Sequence, residues 1–337
     1  MKCTDKDRIF RKKRKRKTQL FLRLLCVILV LGMLSGVGIW LLHSRRIVDT
    51  YEASAYHSSI YHADLFADDL CVSNEEVEFK EFYRHDKFKG ALLFNMKDNE
   101  VLYSERVNEK VYPASTTKIM TTYLALKYGN LNDIVTVSEN AVDVPSRSSV
   151  AGLRAGDRLS LKDLLYGLML PSGNDSAIAV AEHISGNVED FAALMNEEAN
   201  KIGASNTHFT NPHGYHEADH YTTAYDLYLM WNACMKEDLF MDIVSSRRWD
   251  AVITQKDGSE RAVTWNQTNK YLNGTREVPR GIKMIGGKTG TTNDAGYCLM
   301  QYGTDSSNTP YLAIIMGATS SRNLYDNMTF LWRAIAD

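Results

Sequence analysis

The chain has 337 residues, 44% hydrophobic and 24% charged, which suits one large domain or two modest ones and excludes a disordered chain. Its net charge of −2 hides an asymmetry. Residues 1–46 hold 13 Lys/Arg against 2 Asp/Glu and residues 47–337 hold 26 against 39, a basic tail on an acidic globule rather than a uniformly basic, nucleic-acid-binding surface.

Residues 1–23 form the basic tail, with the run Arg11-Lys12-Lys13-Arg14-Lys15-Arg16-Lys17. Leu24 to Leu42 follow without a charge. At about 1.5 Å per residue a helix over that stretch is roughly 28 Å long, close to the hydrocarbon thickness of a bilayer. A basic flank before such a span predicts a single-pass membrane anchor with a cytoplasmic N-terminus and an exterior C-terminal domain. The stretch is longer than a signal-peptide core, and His43-Ser44-Arg45-Arg46 offers no small-x-small cleavage site, so the anchor is expected to be retained. Gly32 and Gly36 make a Gly-x-x-x-Gly pair, read here as the small residues common in membrane helices rather than as a dimer face.

Residues 43–88 read as an acidic stalk: positions 47–88 hold ten acidic residues and no Gly or Pro. The folded domain is expected over residues 89–337. Ala91–Asn95 and Val101–Tyr103 read as strands around a turn at Lys97-Asp98-Asn99. A helix follows Pro113-Ala114. In the helix-rich middle, Ser160 caps a run with Leu161, Leu164, Leu165, Leu168 and Met169 on one face. Further helices are expected from about Val188 to Ile202 and from near Thr222. Ala251–Thr254, Ala295–Tyr302 and Tyr311–Met316 are strand-like, and a helix from about Ser321 to Ile335 closes the chain. The order predicts one sheet built from both ends of the domain with a helical lobe inserted between.

Of the five cysteines, Cys71, Cys234 and Cys298 fall in the exterior part, an odd number with no Cys-x-x-Cys metal spacing. Cys234 and Cys298 read as small buried hydrophobes. His213, His216 and His220 lie near Glu217 and Asp219, but their spacing is not that of a zinc helix, and Asn211-Pro212-His213-Gly214 is a turn signal. These histidines are read as part of a loop framing a cleft. No metal or other cofactor is expected.

Three short motifs carry chemistry together: Ser115-Thr116-Thr117-Lys118, Ser172-Gly173-Asn174 and Lys288-Thr289-Gly290. Residues three apart on a helix share a face, so Lys118 reaches the Ser115 hydroxyl. A serine hydroxyl needs a base, and a lysine serves only when neutral. Burial and the neighbouring charge of Lys288 are expected to lower its pKa. A helix start at Ser115 aims backbone N–H groups at a developing oxyanion. Ser172 suits a proton relay between Lys118 and the leaving amine, and Asn174 suits holding Lys118 and the substrate amide. Lys288 and Thr289, on an expected strand edge, suit a terminal carboxylate, and Gly290 leaves room for substrate backbone.

With these motifs placed, about residues 90–335 resemble the low-molecular-weight penicillin-binding proteins, specifically the serine D-alanyl-D-alanine carboxypeptidase family. The matching stretches are Pro113–Thr121 (PASTTKIMT), Asp163–Ile184 (DLLYGLMLPSGNDSAIAVAEHI), Thr210–Gly214 (TNPHG) and Gly286–Cys298 (GGKTGTTNDAGYC). The resemblance implies an α/β fold of the α+β type, β-lactamase/transpeptidase-like, with a five-stranded antiparallel sheet flanked by helices and an all-helical lobe. It implies Ser115 as nucleophile, Lys118 as base, Ser172 and Asn174 as relay and substrate contacts, and Lys288 and Thr289 as carboxylate binders. The backbone N–H groups of Ser115 and Thr291 are implied as oxyanion donors. Substrates would be bacterial peptidoglycan stem peptides ending in D-Ala-D-Ala, with β-lactams as covalent inhibitors. The chain departs from many family members in its N-terminal tether and in stopping soon after its last helix. A β-lactamase and a non-catalytic β-lactam or wall sensor are the alternatives. Against the first, no Glu-x-x-Leu-Asn occurs in Asp175–Thr222, and against the second the cytoplasmic tail holds no domain.

Overall fold

The computed structural model describes residues 70–73, 75–78 and 87–336. The chain divides into units 1–68 and 69–337, and the described residues all belong to the second. The expected cytoplasmic tail, the membrane anchor at 24–42 and most of the stalk lie outside them. Among the described residues no helix is long and apolar enough to cross a membrane.

The main sheet is antiparallel, with strands β1 (Gly90–Asn95), β2 (Glu100–Glu105), β7 (Lys283–Thr292), β8 (Gly296–Thr304) and β9 (Pro310–Ala318) in the order β2-β1-β9-β8-β7. Its central strands are apolar on both sides because both faces are covered. On one face Ala91, Leu93, Ala313 and Ile315 pack with Leu324, Met328, Leu331 and Trp332 of the closing helix α8 (Ser321–Arg333). On the other, Leu92, Phe94, Leu312, Ile314 and Met316 join the larger helical core. Ser320 caps α8 by accepting from the Asn323 N–H. A cap contributes about 1 kcal/mol, whereas each fully buried large apolar side chain contributes about 1.5–3 kcal/mol, so packing rather than capping fixes α8.

The lobe contains α1 (Lys118–Tyr128), α2 (Glu139–Val142), α3 (Leu161–Met169), α4 (Asn174–Ser185), α5 (Val188–Lys201), α6 (Ala224–Cys234) and α7 (Asp238–Ser245). Ser160 accepts from the Asp163 N–H at the start of α3, as its sequence indicates.

The lobe is not all-helical, which corrects the sequence expectation. Strands β3 (Ile134–Thr136), β4 (Arg158–Ser160), β5 (Arg248–Thr254) and β6 (Glu260–Asn266) form a second sheet in the order β3-β4-β5-β6. The strand expected at Ala251–Thr254 belongs to this sheet. Its physical basis is an amphipathic hairpin: Ala251, Ile253 and Trp265 are buried while their neighbours Val252, Thr264 and Asn266 face water. Trp249 stacks on Tyr166 of α3 with ring centroids 3.7 Å apart, and its Nε1 donates to Asp163.

Part of the acidic segment is built into the domain. Cys71 is fully buried, with its N–H donating to Tyr228 Oη and its carbonyl accepting from Tyr225 Oη. Val77 pairs with Ser104 on the outer edge of β2.

Candidate active site

Ser115 sits at the meeting of sheet and lobe. The α-helix begins only at Lys118; ahead of it Ala114–Thr117 make one tighter 3₁₀ turn. In such a turn residues three apart eclipse each other, which brings Lys118 over Ser115 more directly than an α-helix does. Ala114 holds a left-handed φ of 49°, and Thr116 Oγ1 donates to the Pro113 carbonyl. Gly214 presses on this turn from the histidine loop: a Cβ there would stand 1.8 Å from the Ala114 carbonyl oxygen, and its φ is +83°. Only glycine fits.

Lys118 Nζ is buried and has three neighbours: Ser115 Oγ at 3.1 Å, Asn174 Oδ1 at 2.7 Å and the His213 carbonyl at 2.9 Å. Burial holds its pKa well below the ordinary lysine value, the charge of Lys288 lowers it further, and Asp175 opposes the shift. Lys288 is also buried, and burial pulls its amine down to about 7.

Ser172 adopts a left-handed φ of 64° in the loop between α3 and α4. That unfavourable backbone aims its hydroxyl at Lys288, whose Nζ donates to it at 2.9 Å and to the Thr289 carbonyl at 2.9 Å. The Ser172 hydroxyl is therefore bonded to the third-motif lysine and not to Lys118, a change from the sequence expectation.

β7 is an edge strand, as expected, with no strand paired on its outer side among the described residues, the place where a partner strand adds. Gly290 serves another end than the one its sequence suggests. A Cβ there would meet Pro113 O at 3.0 Å, Ser115 N at 3.0 Å and Thr116 N at 3.1 Å, so its missing side chain admits the nucleophile turn rather than a ligand. Thr289 Oγ1 pairs with Thr268 Oγ1 at 2.9 Å.

Several partnerships here escaped sequence reasoning. Asp175 is buried, and its carboxylate accepts N–H groups from Ala151, Gly152, Leu153 and Ser176. It pins the segment 149–153 to the first turn of α4, where Asn174 N–H also donates to the Ser149 carbonyl. His220 receives the Thr210 N–H on Nδ1, so Nε2 carries the proton and donates to Thr117 Oγ1 at 2.9 Å. Burial and two nearby histidines, His208 and His216, pull His220 down to about 3. Thr268 likewise had no local signal, since its partner is far along the chain.

Above these groups opens a cleft of about 360 Å³, lined among others by Ser115, Asn174, His213, Tyr215, Thr291 and Asp294. His213 and His216 line it, as expected, whereas His220 is buried and does not. Among the described residues no group of three or more His, Cys, Asp or Glu is placed to hold a metal ion. Cys71, Cys234 and Cys298 are free and buried, and burial raises all three thiols, Cys71 and Cys298 to about 11, which disfavours thiolate chemistry.

A family model described as D-alanyl-D-alanine carboxypeptidase matches residues 84–320. The chain belongs to the D-alanyl-D-alanine carboxypeptidase family. It is 34% identical over 239 residues to D-alanyl-D-alanine carboxypeptidase DacF of Bacillus subtilis, covering 69% of this chain and 58% of that one. It is 33% identical over 242 residues to the D-alanyl-D-alanine carboxypeptidase of Streptomyces sp. strain K15, covering 68% of this chain and 81% of that one. The match to DacA of Haemophilus influenzae, 32% identical, covers 73% of this chain and 61% of the relative, so the chain spans about three fifths of the DacF and DacA proteins. Among solved structures, the Streptomyces K15 DD-transpeptidase superposes with a TM-score of 0.68 at 29% identity, over 78% of this chain and 98% of that one.

Proposed function

We propose that the protein removes the terminal D-alanine from peptidoglycan stem peptides through an acyl-enzyme on Ser115. The observation that carries this reading is the set of partners around Lys118. A neutral amine has two hydrogens and one lone pair. Asn174 Oδ1 and the His213 carbonyl only accept, so they take the two hydrogens and leave the lone pair for the Ser115 hydroxyl. The lowered pKa of Lys118 supplies the neutral form.

Ser115 Oγ then attacks the carbonyl of the penultimate D-alanine as its proton passes to Lys118. The backbone N–H groups of Ser115 and Thr291 hold the oxyanion, and Asn174 Nδ2 holds the substrate amide. The amide bond breaks, and the leaving nitrogen takes the Ser172 proton, which Lys288 replaces. Lys118 then gives up the proton it took and Lys288 regains one from solvent; water attacks the ester, its proton passing through neutral Lys118 to the Ser115 oxygen as the acyl bond breaks. The terminal carboxylate lies at Thr289, with Gly290 closing the turn behind it and the charge of Lys288 beneath. The same hydroxyl opens β-lactam rings and is inhibited by them.

The membrane belongs to this proposal. The basic run before the span Leu24–Leu42 supports a bacterial single-pass protein with residues 1–23 inside and the catalytic domain from about residue 89 outside, joined by the acidic segment.

Full-length protein mixed with a peptide ending in D-Ala-D-Ala is expected to release D-alanine, and Ser115→Ala is expected to release none. Equal release by both overturns the reading. Transfer to an amine is a second reading, favoured by the likeness to a structure solved as a DD-transpeptidase. Added acceptor amine would then shift product mass from hydrolysed to cross-linked peptide.

A further inference from the structure

Arg147 lines the active-site cleft, on the wall formed by the lobe. It makes no hydrogen bond or ion pair with any described residue, whereas Arg248, Arg261 and Arg276 each have a carboxylate partner. The two lysines of the site are buried beneath the cleft and engaged with their own partners. Arg147 is therefore the uncommitted full cation on the open wall among the described residues. Asp294 is the acid lining the same cleft, and it faces His216 at 3.8 Å.

The backbone that presents Arg147 is fixed. Ser148 N–H donates to the Pro145 carbonyl, and the Ser149 carbonyl accepts from Asn174 N–H, each at 2.8 Å. The Asp175 carboxylate clamps the next three residues. The segment 145–153 contains no acidic residue that would neutralise the guanidinium. Ser148, beside it in the cleft lining, has a hydroxyl with no protein partner.

Direction follows from the sheet. A peptide added antiparallel to β7 with its carboxylate at Thr289 sets its preceding residues against Thr291, Thr292 and Asn293, which line the cleft with Arg147. We propose that Arg147 selects stem peptides whose residue before the D-Ala-D-Ala pair carries a side-chain carboxylate, binding it through the planar guanidinium fork. The inference rests on the carboxypeptidase reading.

The test compares two peptides that differ only before D-Ala-D-Ala, one side chain ending in a carboxylate and one in a neutral acetamide. Full-length protein is expected to favour the carboxylate peptide by about tenfold in kcat/KM, the effect of one partly solvated charge-assisted contact. Arg147→Ala is expected to bring that ratio to about one, and Arg147→Lys to restore part of it. A ratio near one for the unaltered protein, or an unchanged ratio in Arg147→Ala, overturns the role of Arg147 alone. Release from neither peptide overturns the carboxypeptidase reading itself.

Discussion

Gly290 and Ser115 meet backbone to backbone: a methyl built on Gly290 stands 3.0 Å from the Ser115 nitrogen. The nucleophile turn rests directly on the edge strand that is to receive the substrate. Gly290→Ala must push the two apart by a few tenths of an ångström. A misplacement approaching 1 Å can cost about 100-fold in rate, so a loss of at least about tenfold in D-alanine release is expected, with the fold retained. Kinetics together with a thermal melt check this; full activity would mean that the turn yields without moving Ser115.

Replacing Lys118 separates base from scaffold. Lys118→Met keeps the volume and removes the amine. Acylation by a labelled penicillin is expected to slow by about 10²–10⁴-fold, the range for a positioned general base. Two acceptors, Asn174 Oδ1 and the His213 carbonyl, lose their donor, so a stability loss of about 1–3 kcal/mol accompanies it. Acylation at the unaltered rate would remove Lys118 from the mechanism.

The pH dependence has a worked sign. Lys118 acts when neutral, and burial with the Lys288 charge lowers its pKa, so activity is present above that lowered value and falls as protons return. Lys288 serves the substrate carboxylate when charged, and burial brings it to about 7. kcat/KM is therefore expected to decline on the alkaline side near pH 7. Lys288→Arg keeps its charge, so the activity that remains should lack that alkaline decline, with kcat reduced because a guanidinium does not return a proton to Ser172. A profile that keeps the same alkaline limb in the variant assigns the limb elsewhere.

Asp175 binds four backbone N–H groups with one carboxylate. Asn has a single acceptor oxygen and turns an NH₂ toward part of that set. Asp175→Asn is expected to lose about 1–3 kcal/mol of stability and to raise KM, because the segment it clamps lines the cleft. Denaturant unfolding and steady-state kinetics test both.

Glu198 lies under α1 with its carboxylate fully buried, ringed by Lys127, Lys201 and Tyr128. Burial raises its pKa, but the hydrogen bonds from Lys127, Lys201 and Tyr128 outweigh that and hold it at about 2. A lowered carboxyl stabilises the fold above its ordinary value of 4.5 and loses that contribution as pH falls towards 2. Glu198→Gln is expected to be less stable at neutral pH by about 1–3 kcal/mol, discounted for the exposure of both lysines. Its stability should also change less between pH 5 and pH 2 (about three units) than that of the unaltered protein.

What was legible in the sequence was local. The Ser160 cap and the apolar face behind it announce α3, and the continuous apolar runs of β1 and β9 announce a covered sheet. The Ser115–Lys118 spacing announces a shared face. What was hidden depends on distant partners. β3 and β4 are three residues each, too short to show a period, so the second sheet left no trace until β5 and β6 joined it. The left-handed backbone of Ser172 decides that its hydroxyl faces Lys288, and nothing in Ser-Gly-Asn reports that φ. Asp175 reads as an ordinary first-turn acid, yet its partners lie more than twenty residues upstream.

The chain enters this domain at the opposite side of the sheet from the strand that is to hold the peptide. Val77 borders β2, and β7 is four strand spacings from β2, roughly 19 Å at the usual strand spacing. The described amino-terminal residues are held by the Cys71 clamp on Tyr225 and Tyr228 and by the bonds of Glu75, Glu76 and Val77 to Ser104 and Arg106. That clamp sits on α6, whose Cys234 thiol in turn donates to the Ile119 carbonyl of α1, so the amino-terminal approach is wired to the helix that carries Lys118 while the far edge of the sheet at β7 stays clear of it.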